Sequence, residues 1–544
     1  MPALQDMRRA SRLTRPFSAR ASAIGDIARE LLALPQSLWP RDGIFLAEWM
    51  DGHFTLAGTA MDVQGRSPFD IEHAPDAWRK ALFGFEWLRH VPMTADPALA
   101  EHMQTEVATW LKSAARRGDV ATGQAVTARR VMSWLAHADV VLETTSSGAY
   151  DGIMAALVAD VRLLERGWRE TKAPAERLLA LIALAQAGLC FDGAPRLQGD
   201  AEDWLAHEFS TQHTGALVPL LREPETLAGL ILDLEGLRLL YKMRLLPVPL
   251  FLPQALARLT QSLAKRVLGD GRPARLGAVR ADAQAQVTLA AVGRHLGLPI
   301  AGAHADTAVG YVRMAAGETC AIVDVAAPLD SDSGLELEMS SAAAPMLVHA
   351  GLGKSDGGRS TATLTLVAER SAGSLKGDAR SFTPALEAMP SVATSGMGRG
   401  STGPQSMDAT HAGLARYGFA HRRQVVLDND GRLLNGSDEL RPIVGRTQLI
   451  AEAFVIRFVL HPSVTVSLSD KPDQVGLTLM NGHRWMFAAP GQHVSVEGAL
   501  YRDGLRTVPT LQVLVLAEGG AGRSVTWQLM RLDGKTFSSA RGGN

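Results

Sequence analysis

The sequence predicts an α+β protein of more than one domain, with an α-helical array over residues 23–272 and an antiparallel β-sandwich over residues 273–544. Two periodicities predict this division. Residues 97–117 carry apolar side chains at three- and four-residue spacings, one stripe of an amphipathic helix, and similar segments recur through the first half. In the second half, short period-two runs alternate with turns such as Asn429-Asp-Gly431, which is typical of a sandwich. A chain of 544 residues is also too long for one core.

The helical half is divided by short breaks that contain proline, as in Glu170-Thr-Lys-Ala-Pro174 and Leu245-Leu-Pro247-Val-Pro249. Helices joined in this way favour antiparallel pairs. Tryptophans recur along these segments. They could stack on sugar rings, but at helical spacing a position in the core is the favoured interpretation. They are Trp78, Trp87, Trp110, Trp134, Trp168 and Trp204.

Within the β-rich half, the stretch 351–406 is rich in Gly, Ser and Ala. Such a composition predicts a long exposed loop inside the sandwich domain. This loop would lie beside a polar stretch that begins at Asp408. We therefore expect a functional site of the domain in this region.

Composition excludes several classes of protein. A net charge of -1 argues against a chain-wide nucleic-acid surface, so any polyanion must bind a local patch. No apolar run is long enough to span a bilayer. Cys190 and Cys320 lack metal-binding spacing and are expected to be buried thiols. Residues 1–22 hold five arginines and no secretory signal core, which predicts a solvated or surface-binding basic arm.

The polar stretch runs from Asp408 to Gly436 and concentrates two His, three Arg and one Tyr in the thirteen residues 411–423. We interpret it as the rim of an anion-facing site, because planar guanidinium groups suit carboxylates and sulfates. On a strand, Arg422 and Gln424 should face one way and His421 and Arg423 the other. A solvated sheet edge is the alternative interpretation.

The order His411-x-Gly413, Tyr417-Gly-x-x-His421-Arg-Arg and a strand ending at Asp428 resembles the C-terminal domain of heparinase II/III-like proteins. Members of that family are polysaccharide lyases. The resemblance implies an incomplete (α/α) toroid followed by a β-sandwich. It also implies an acidic, uronate-containing glycan as the partner.

Two segments of the helical half resemble the same family. They are Phe83-Gly-Phe-Glu-Trp87 and Arg130-Val-Met-Ser133-Trp134, where the family usually has Arg-x-x-Asn-Trp. Ser133 therefore replaces the expected Asn. Farther along, Thr226 and Leu227 occupy the positions where the family carries Tyr and His.

A lyase acting by β-elimination needs a base, an acid for the leaving oxygen and a group that neutralises the uronate carboxylate. The candidate catalytic residues are His421, Tyr417 and His213. Tyr417 lies three residues beyond the position at which the family pattern carries its Tyr. The candidate substrate-binding residues are Arg416, Arg422, Arg423, Arg222 and Trp134.

The resemblance further implies one structural zinc, held by His411, Asp428 and His461 in this order. His and Asp are suitable zinc ligands. The alternative is that each makes local hydrogen bonds: His411 nearby, Asp428 in a turn and His461 before a proline.

The leading hypothesis is a polysaccharide lyase, and the alternative is a catalytically degenerate glycan-binding or envelope-assembly protein of the same fold. A glycoside hydrolase would need two facing carboxylates, and nothing pairs Glu86, Glu208 or Glu223. The family implies a periplasmic or envelope location, whereas the lack of an export signal favours the cytoplasm. The sequence does not predict an oligomeric state.

Overall fold

The computed structural model describes most of the chain after residue 29. The described residues are 30–92, 97–142, 147–192, 194–211, 217–275, 283–299, 301–326, 334–351, 363–367, 381–382, 390–397, 403–446, 453–503, 506–518 and 524–532. His213 and the basic arm 1–22 lie outside them. The described residues fall into two compact units. One holds the chain up to Leu220, Glu225–Thr260 and Val287–Gly297; the other holds Leu221–Pro224, Gln261–Gln286 and the chain from Leu298 onward.

Helices dominate the first half, as predicted. In the described residues they are α1 Phe45–Met50, α2 Asp76–Phe83, α3 Pro97–Lys112, α4 Asp119–Thr122, α5 Gln124–Ala136, α6 Ala138–Leu142, α7 Ser147–Gly167, α8 Pro174–Cys190, α9 Pro195–Thr211, α10 Val218–Arg222, α11 Pro224–Met243, α12 Phe251–Ala264 and α13 Ala283–Leu296.

Helix α8 lies at the centre of the first unit. It begins with Pro174 at its first position, where the missing N–H costs nothing, and it is buried continuously from Leu178 to Cys190. Both α5 and α9 pack against it. The contact with α9 is close because Gly188 has no side chain: a Cβ there would lie 2.6 Å from the backbone nitrogen of Gln198. A helix that is apolar on all sides is buried, which explains this position.

The first unit also contains a β-hairpin, which the helical pattern did not predict. Strands β1 His53–Leu56 and β2 Thr59–Asp62 pair through the turn Ala57-Gly58, and both turn residues have positive φ. This geometry is that of the tight hairpin turns that usually carry Asn-Gly or Asp-Gly. Ala57 stands where Asn or Asp usually marks such a turn, so the sequence pattern did not predict this hairpin.

The range 273–544, predicted to be a sandwich, begins with helix α13 Ala283–Leu296 instead, and strands follow from His304 onward. They are β3 His304–Asp306, β4 Tyr311–Ala316, β5 Thr319–Asp324, β6 Leu337–Ser341, β7 Ala344–Leu347, β8 Thr363–Val367, β9 Ser381–Phe382, β10 Ser391–Ser395, β11 Gln405–His411, β12 Phe419–Leu427, β13 Leu433–Pro442, β14 Ala453–Val459, β15 Thr465–Leu468, β16 Gln474–Thr478, β17 Arg484–Ala488, β18 His493–Asp503, β19 Arg506–Glu518 and β20 Ser524–Leu532.

Within the described part of this half, the strands form one eight-stranded and two five-stranded antiparallel sheets. The eight-stranded sheet has the order β10-β11-β12-β13-β20-β17-β16-β15. Its inward residues share one apolar core with both five-stranded sheets, and Trp485 and Trp527 are among the largest side chains in that core. Sheets that enclose a common core in this way form a sandwich.

The predicted loop 351–406 is not a continuous loop. Its described residues include β8, β9, β10 and the start of β11, while its remaining residues lie largely outside the described part of the chain. Short strands of small residues carry a weak period-two signal, which is why composition suggested a loop. None of the helices in the described residues is long and apolar enough to cross a membrane.

Candidate functional site

The strand pair β11 and β12 places the central histidines in the core of the sandwich. His411 lies directly opposite His421, and on the next strand Asp438 lies opposite Arg423. Burial alternates strictly along β12, so His421 and Arg423 face inward while Arg422 and Gln424 face outward. This confirms the opposite orientations expected from the strand period.

Three hydrogen bonds converge on Asp438. His421 Nε2 lies 2.7 Å and Arg423 Nε 2.8 Å from its Oδ1, and Trp527 Nε1 lies 2.8 Å from its Oδ2. Arg423 also donates to the carbonyl of Leu335 at 2.5 Å. His421, Arg423 and Asp438 are 0% exposed. We call His411, His421, Arg423, Asp438 and Trp527 the buried polar network.

The hydrogen bonds assign the tautomers of both histidines. The backbone N–H of Gly413 donates to His411 Nδ1 at 3.1 Å, so this nitrogen carries no proton. His411 Nε2 therefore donates to His421 Nδ1 at 2.9 Å, and His421 Nε2 donates to Asp438. Every ring nitrogen in this chain of contacts has a partner within the protein.

Burial and charge keep the two rings neutral. Burial first, and then the neighbouring His421 ring and the Arg423 guanidinium, hold the pKa of His411 well below its usual value. Burial also lowers the pKa of His421, against the attraction of Asp438. For Asp438, burial acts to raise the pKa, but Arg423 and the hydrogen bonds outweigh it and keep the carboxylate ionised. The network thus contains one fixed ion pair and two neutral rings.

The outward residues of β12 form a separate, accessible set. Arg422 Nε donates to Asp408 Oδ1 at 2.7 Å, and Gln424 Nε2 donates to Asp408 Oδ2 at 2.9 Å. Arg422 also approaches Glu439 at 3.5 Å. Because its guanidinium is shared between two carboxylates, it offers little uncompensated positive charge.

Arg416 and Tyr417 lie in the short turn before β12. Arg416 is exposed and its guanidinium lies 4.6 Å from the centre of the Tyr417 ring. Tyr417 is half-buried and packs against the core of the sandwich. Of the predicted site residues that the structure describes, Arg416 is exposed, and Tyr417, Arg422, Asp428 and His461 are half-buried.

Two further predicted binding residues, Arg222 and Trp134, are buried. Arg222 is 5% exposed and donates to Asp324 at 2.8 Å and to the carbonyl of Val309 at 2.9 Å. Trp134 is 2% exposed and meets Phe85 edge to face, with ring centres 5.2 Å apart. These positions support the core interpretation of the tryptophan. The roles of these residues in binding stay predictions.

The structure does not bring together the three residues expected to hold zinc. His411 is committed to the buried polar network, Asp428 accepts from the backbone of Leu433 at 3.0 Å, and His461 Nδ1 lies 2.7 Å from Ser463 Oγ. Among the residues that the structure describes, no group of three His, Cys, Asp or Glu is placed to hold a metal. Order and spacing matched the family, but each side chain makes the local contacts of the alternative interpretation.

A second polar cluster, which sequence reasoning missed, lies in the helical unit around Trp39. The guanidinium groups of Arg129 and Arg89 lie 4.7 and 5.3 Å from its ring centre. Asp233 accepts from Trp39 Nε1 at 2.7 Å and pairs with Arg129 at 2.7 Å. Ser133 lines the same cavity of about 50 Å³, which holds no more than a few water molecules.

Two features of this cluster bear on its chemistry. Burial raises the pKa of Asp233, with Arg129 and Trp39 opposing the shift. The cluster joins residues 194 positions apart, so no local motif could have predicted it. Leu227, at the position where the family pattern has His, is 0% exposed and points into the core.

Comparison with known proteins finds a family model that matches the second half of the chain. Residues 301–528 match the model described as heparinase II/III-like, C-terminal. FtsZ-localized protein C of Caulobacter vibrioides is 25% identical over 539 residues, which cover 93% of this chain and 91% of that protein.

Solved structures share the fold at low sequence identity. Heparinase III aligns with 97% of this chain and 88% of its own, with a TM-score of 0.64 and 12% identity. The heparan sulfate lyase HepC of Pedobacter heparinus aligns with 92% of this chain and 84% of its own, with a TM-score of 0.55 and 12% identity. The predicted fold class, an incomplete (α/α) toroid followed by an antiparallel β-sandwich, is confirmed.

Proposed function

We propose that this chain, whose residues 301–528 match the heparinase II/III-like C-terminal model, is a glycan-binding or envelope-assembly protein of this fold that does not cleave its ligand. The observation that carries this proposal is the burial of His421, the candidate base, whose two ring nitrogens are both bonded within the protein. The acid has one candidate, because Tyr150, Tyr241, Tyr311 and Tyr501 are at most 3% exposed and Tyr417 is the one tyrosine of the chain that reaches solvent.

The chemistry of β-elimination makes this observation important. The reaction needs a base beside the proton at C5 of the uronate and an acid beside the leaving oxygen, both in contact with the sugar. His421 has no exposed atom and both of its ring nitrogens are bonded within the protein. The replacement of the expected Tyr and His by Thr226 and Leu227 removes the family's other source of these groups.

Binding requires less than catalysis. Arg416 is exposed and offers a guanidinium to a carboxylate or sulfate, with Tyr417 beside it as a ring surface. The name of the relative FtsZ-localized protein C supports an assembly role. In this proposal the ligand is an acidic glycan of the cell envelope and the protein is a scaffold or receptor.

The second candidate is the lyase itself. The similarity in fold to heparinase III over 97% of the chain favours it, as does the accessible Tyr417 beside Arg416. In that case Tyr417 would act as the acid, and His421 could act as the base only after the buried polar network opened.

The test measures turnover and binding on the same samples. The purified chain is incubated with a panel of acidic polysaccharides while the ultraviolet absorbance of unsaturated uronate is followed, and binding is measured by calorimetry. Heparinase III provides the active control. Tyr417→Phe removes the phenolic proton but keeps the ring, whereas His421→Ala carries the added danger of unfolding the domain.

Binding without a rise in absorbance is the expected result. A rise that Tyr417→Phe abolishes would overturn the proposal in favour of the lyase. If the chain neither binds nor cleaves any of these polysaccharides, an acidic glycan is not its ligand under either hypothesis.

A further inference from the structure

The eight-stranded sheet presents a concave polar surface on the side opposite the core of the sandwich. Outward side chains of β10, β11, β12, β13 and β20 surround a groove of about 630 Å³, which we call the outer-face groove. Its volume falls within the range of sites that bind small molecules. The polar side chains that line it include Asp408, Gln424, Asn435, Ser437, Thr526 and Gln528.

The register of the strands arranges these side chains in rows. Asn435 lies directly opposite Gln528, and Ser437 lies opposite Thr526. Side chains in such pairs have Cβ atoms about 4.5–5.5 Å apart. The rows therefore form a regular array of amide and hydroxyl groups on one surface.

Part of this array is available to a ligand. The side chains of Asn435, Thr526 and Gln528 make no hydrogen bond to any residue that the structure describes. Asn435 and Thr526 are exposed, and Gln528 is half-buried. Two adjacent carboxamides can together offer donors and acceptors to neighbouring hydroxyl groups.

Among the described residues that line the groove, none carries an uncompensated charge. Asp408 is its acidic residue, and Arg422 donates to both of its oxygens while Gln424 donates to one. The hydrogen bond from Arg422 lowers the pKa of Asp408, so the ion pair is maintained at neutral pH. An acidic glycan would find no free cation here, and a cationic ligand would find no free carboxylate.

We propose that the outer-face groove binds a neutral oligosaccharide through Asn435 and Gln528. Hydroxyl and acetamido groups of neutral sugars match an array of amides and hydroxyls without net charge. The proposal goes beyond the acidic-glycan function, because it concerns a different face of the sandwich and a different class of ligand. An apolar peptide fits less well, since the large apolar side chain of Trp527 is 1% exposed and offers no anchor.

The lack of an exposed aromatic ring in the groove determines how the experiment is designed. Without ring stacking the affinity rests on hydrogen bonds, so binding is weak and is best measured by saturation-transfer NMR at high ligand concentration. The probes are neutral hexasaccharides of glucose and of N-acetylglucosamine, with a heparin hexasaccharide as the acidic comparison.

Asn435→Ala and Gln528→Ala remove one amide each, and each is expected to weaken binding of a neutral hexasaccharide by roughly fivefold, the change for one hydrogen bond. Gln474→Ala is the matched control. Gln474 is a half-buried glutamine on the same face of the same sheet, but it lies outside the groove. It should leave binding unchanged.

Three results would overturn the proposal. They are the absence of binding to both neutral hexasaccharides, equal weakening by Gln474→Ala, and a dimer in solution that Asn435→Arg dissociates, which would identify the groove as an interface between copies. The heparin hexasaccharide separates this proposal from the proposed function. If heparin binds and the neutral hexasaccharides do not, this proposal fails alone; if the neutral hexasaccharides bind and heparin does not, the acidic-glycan function fails alone.

Discussion

Replacing Asp438 by Ala should destabilise the sandwich unit more than any change at its surface. The substitution removes the acceptor of three hydrogen bonds and leaves the Arg423 guanidinium, which is 0% exposed, without its carboxylate. Removing one partner of a buried ion pair lowers the free energy of unfolding by about 3–5 kcal/mol. A loss of that size is a large fraction of the roughly 5–15 kcal/mol that stabilises a typical domain.

The matched control is Arg441→Ala on the same strand. Arg441 pairs with Glu439 at 2.9 Å, but its side chain is 43% exposed, so its loss should cost about 0–1 kcal/mol. Two units of one chain need not unfold together. The stability of the sandwich is therefore measured locally, by hydrogen exchange of peptides from β12 and β13 at increasing urea concentration.

The expected result is a lower urea midpoint for exchange in Asp438→Ala, with Arg441→Ala close to the unchanged protein. A midpoint shift in Asp438→Ala no larger than in the control would refute the reasoning. It would mean that water or a rearranged Arg423 replaces the carboxylate, and that the buried polar network does not hold the four strands β11, β12, β13 and β20 together.

Three further predictions follow from the same structure. Acidification from pH 7 to 4 should destabilise the sandwich, because burial lowers the pKa of His349 to about 4 in the folded protein. In the unfolded chain the pKa of this histidine is near 6.5, so between pH 6.5 and 4 the unfolded state binds more protons, and the stability lost is roughly 3 kcal/mol for this group. A urea midpoint independent of pH would contradict this. Gly436→Ala should cost about 1–3 kcal/mol and shift tryptophan fluorescence, since its Cβ would lie 2.0 Å from Trp527; an unchanged spectrum and midpoint would count against this. Arg130→Ala should destabilise the helical unit by about 3–5 kcal/mol in thermal unfolding, because it leaves Asp160 buried without its partner; a loss below 1 kcal/mol would disprove it.

The orientation of residues along β12 could be predicted because it depends on a local rule. Successive side chains of a strand point to opposite faces, so the separation of His421 and Arg423 from Arg422 followed from position alone. Which of the two faces would be buried did not follow. That depends on the strands that flank β12, and on a core to which Trp527 contributes from a strand about one hundred residues away.

Asp438 was missed for the same reason. In the sequence it is an ordinary acidic residue in Ser437-Asp-Glu439, and nothing nearby predicts a partner. Only the antiparallel register sets it opposite Arg423. The cluster of Trp39, Arg129 and Asp233 likewise forms where distant segments meet, so its residues carry no shared pattern.

The zinc hypothesis stays a prediction, and its basis also bears on function. It rests on the order and spacing of His411, Asp428 and His461 along the chain, but ligands must also converge on a point, and here each side chain has its own partner. The same distinction applies to His421. A histidine at a family position becomes a base only where it meets the substrate, and hydrogen bonds at both ring nitrogens make this one part of the core. Similarity of fold to lyases is therefore compatible with a chain whose histidines hold strands together, and the absorbance experiment decides between the two roles.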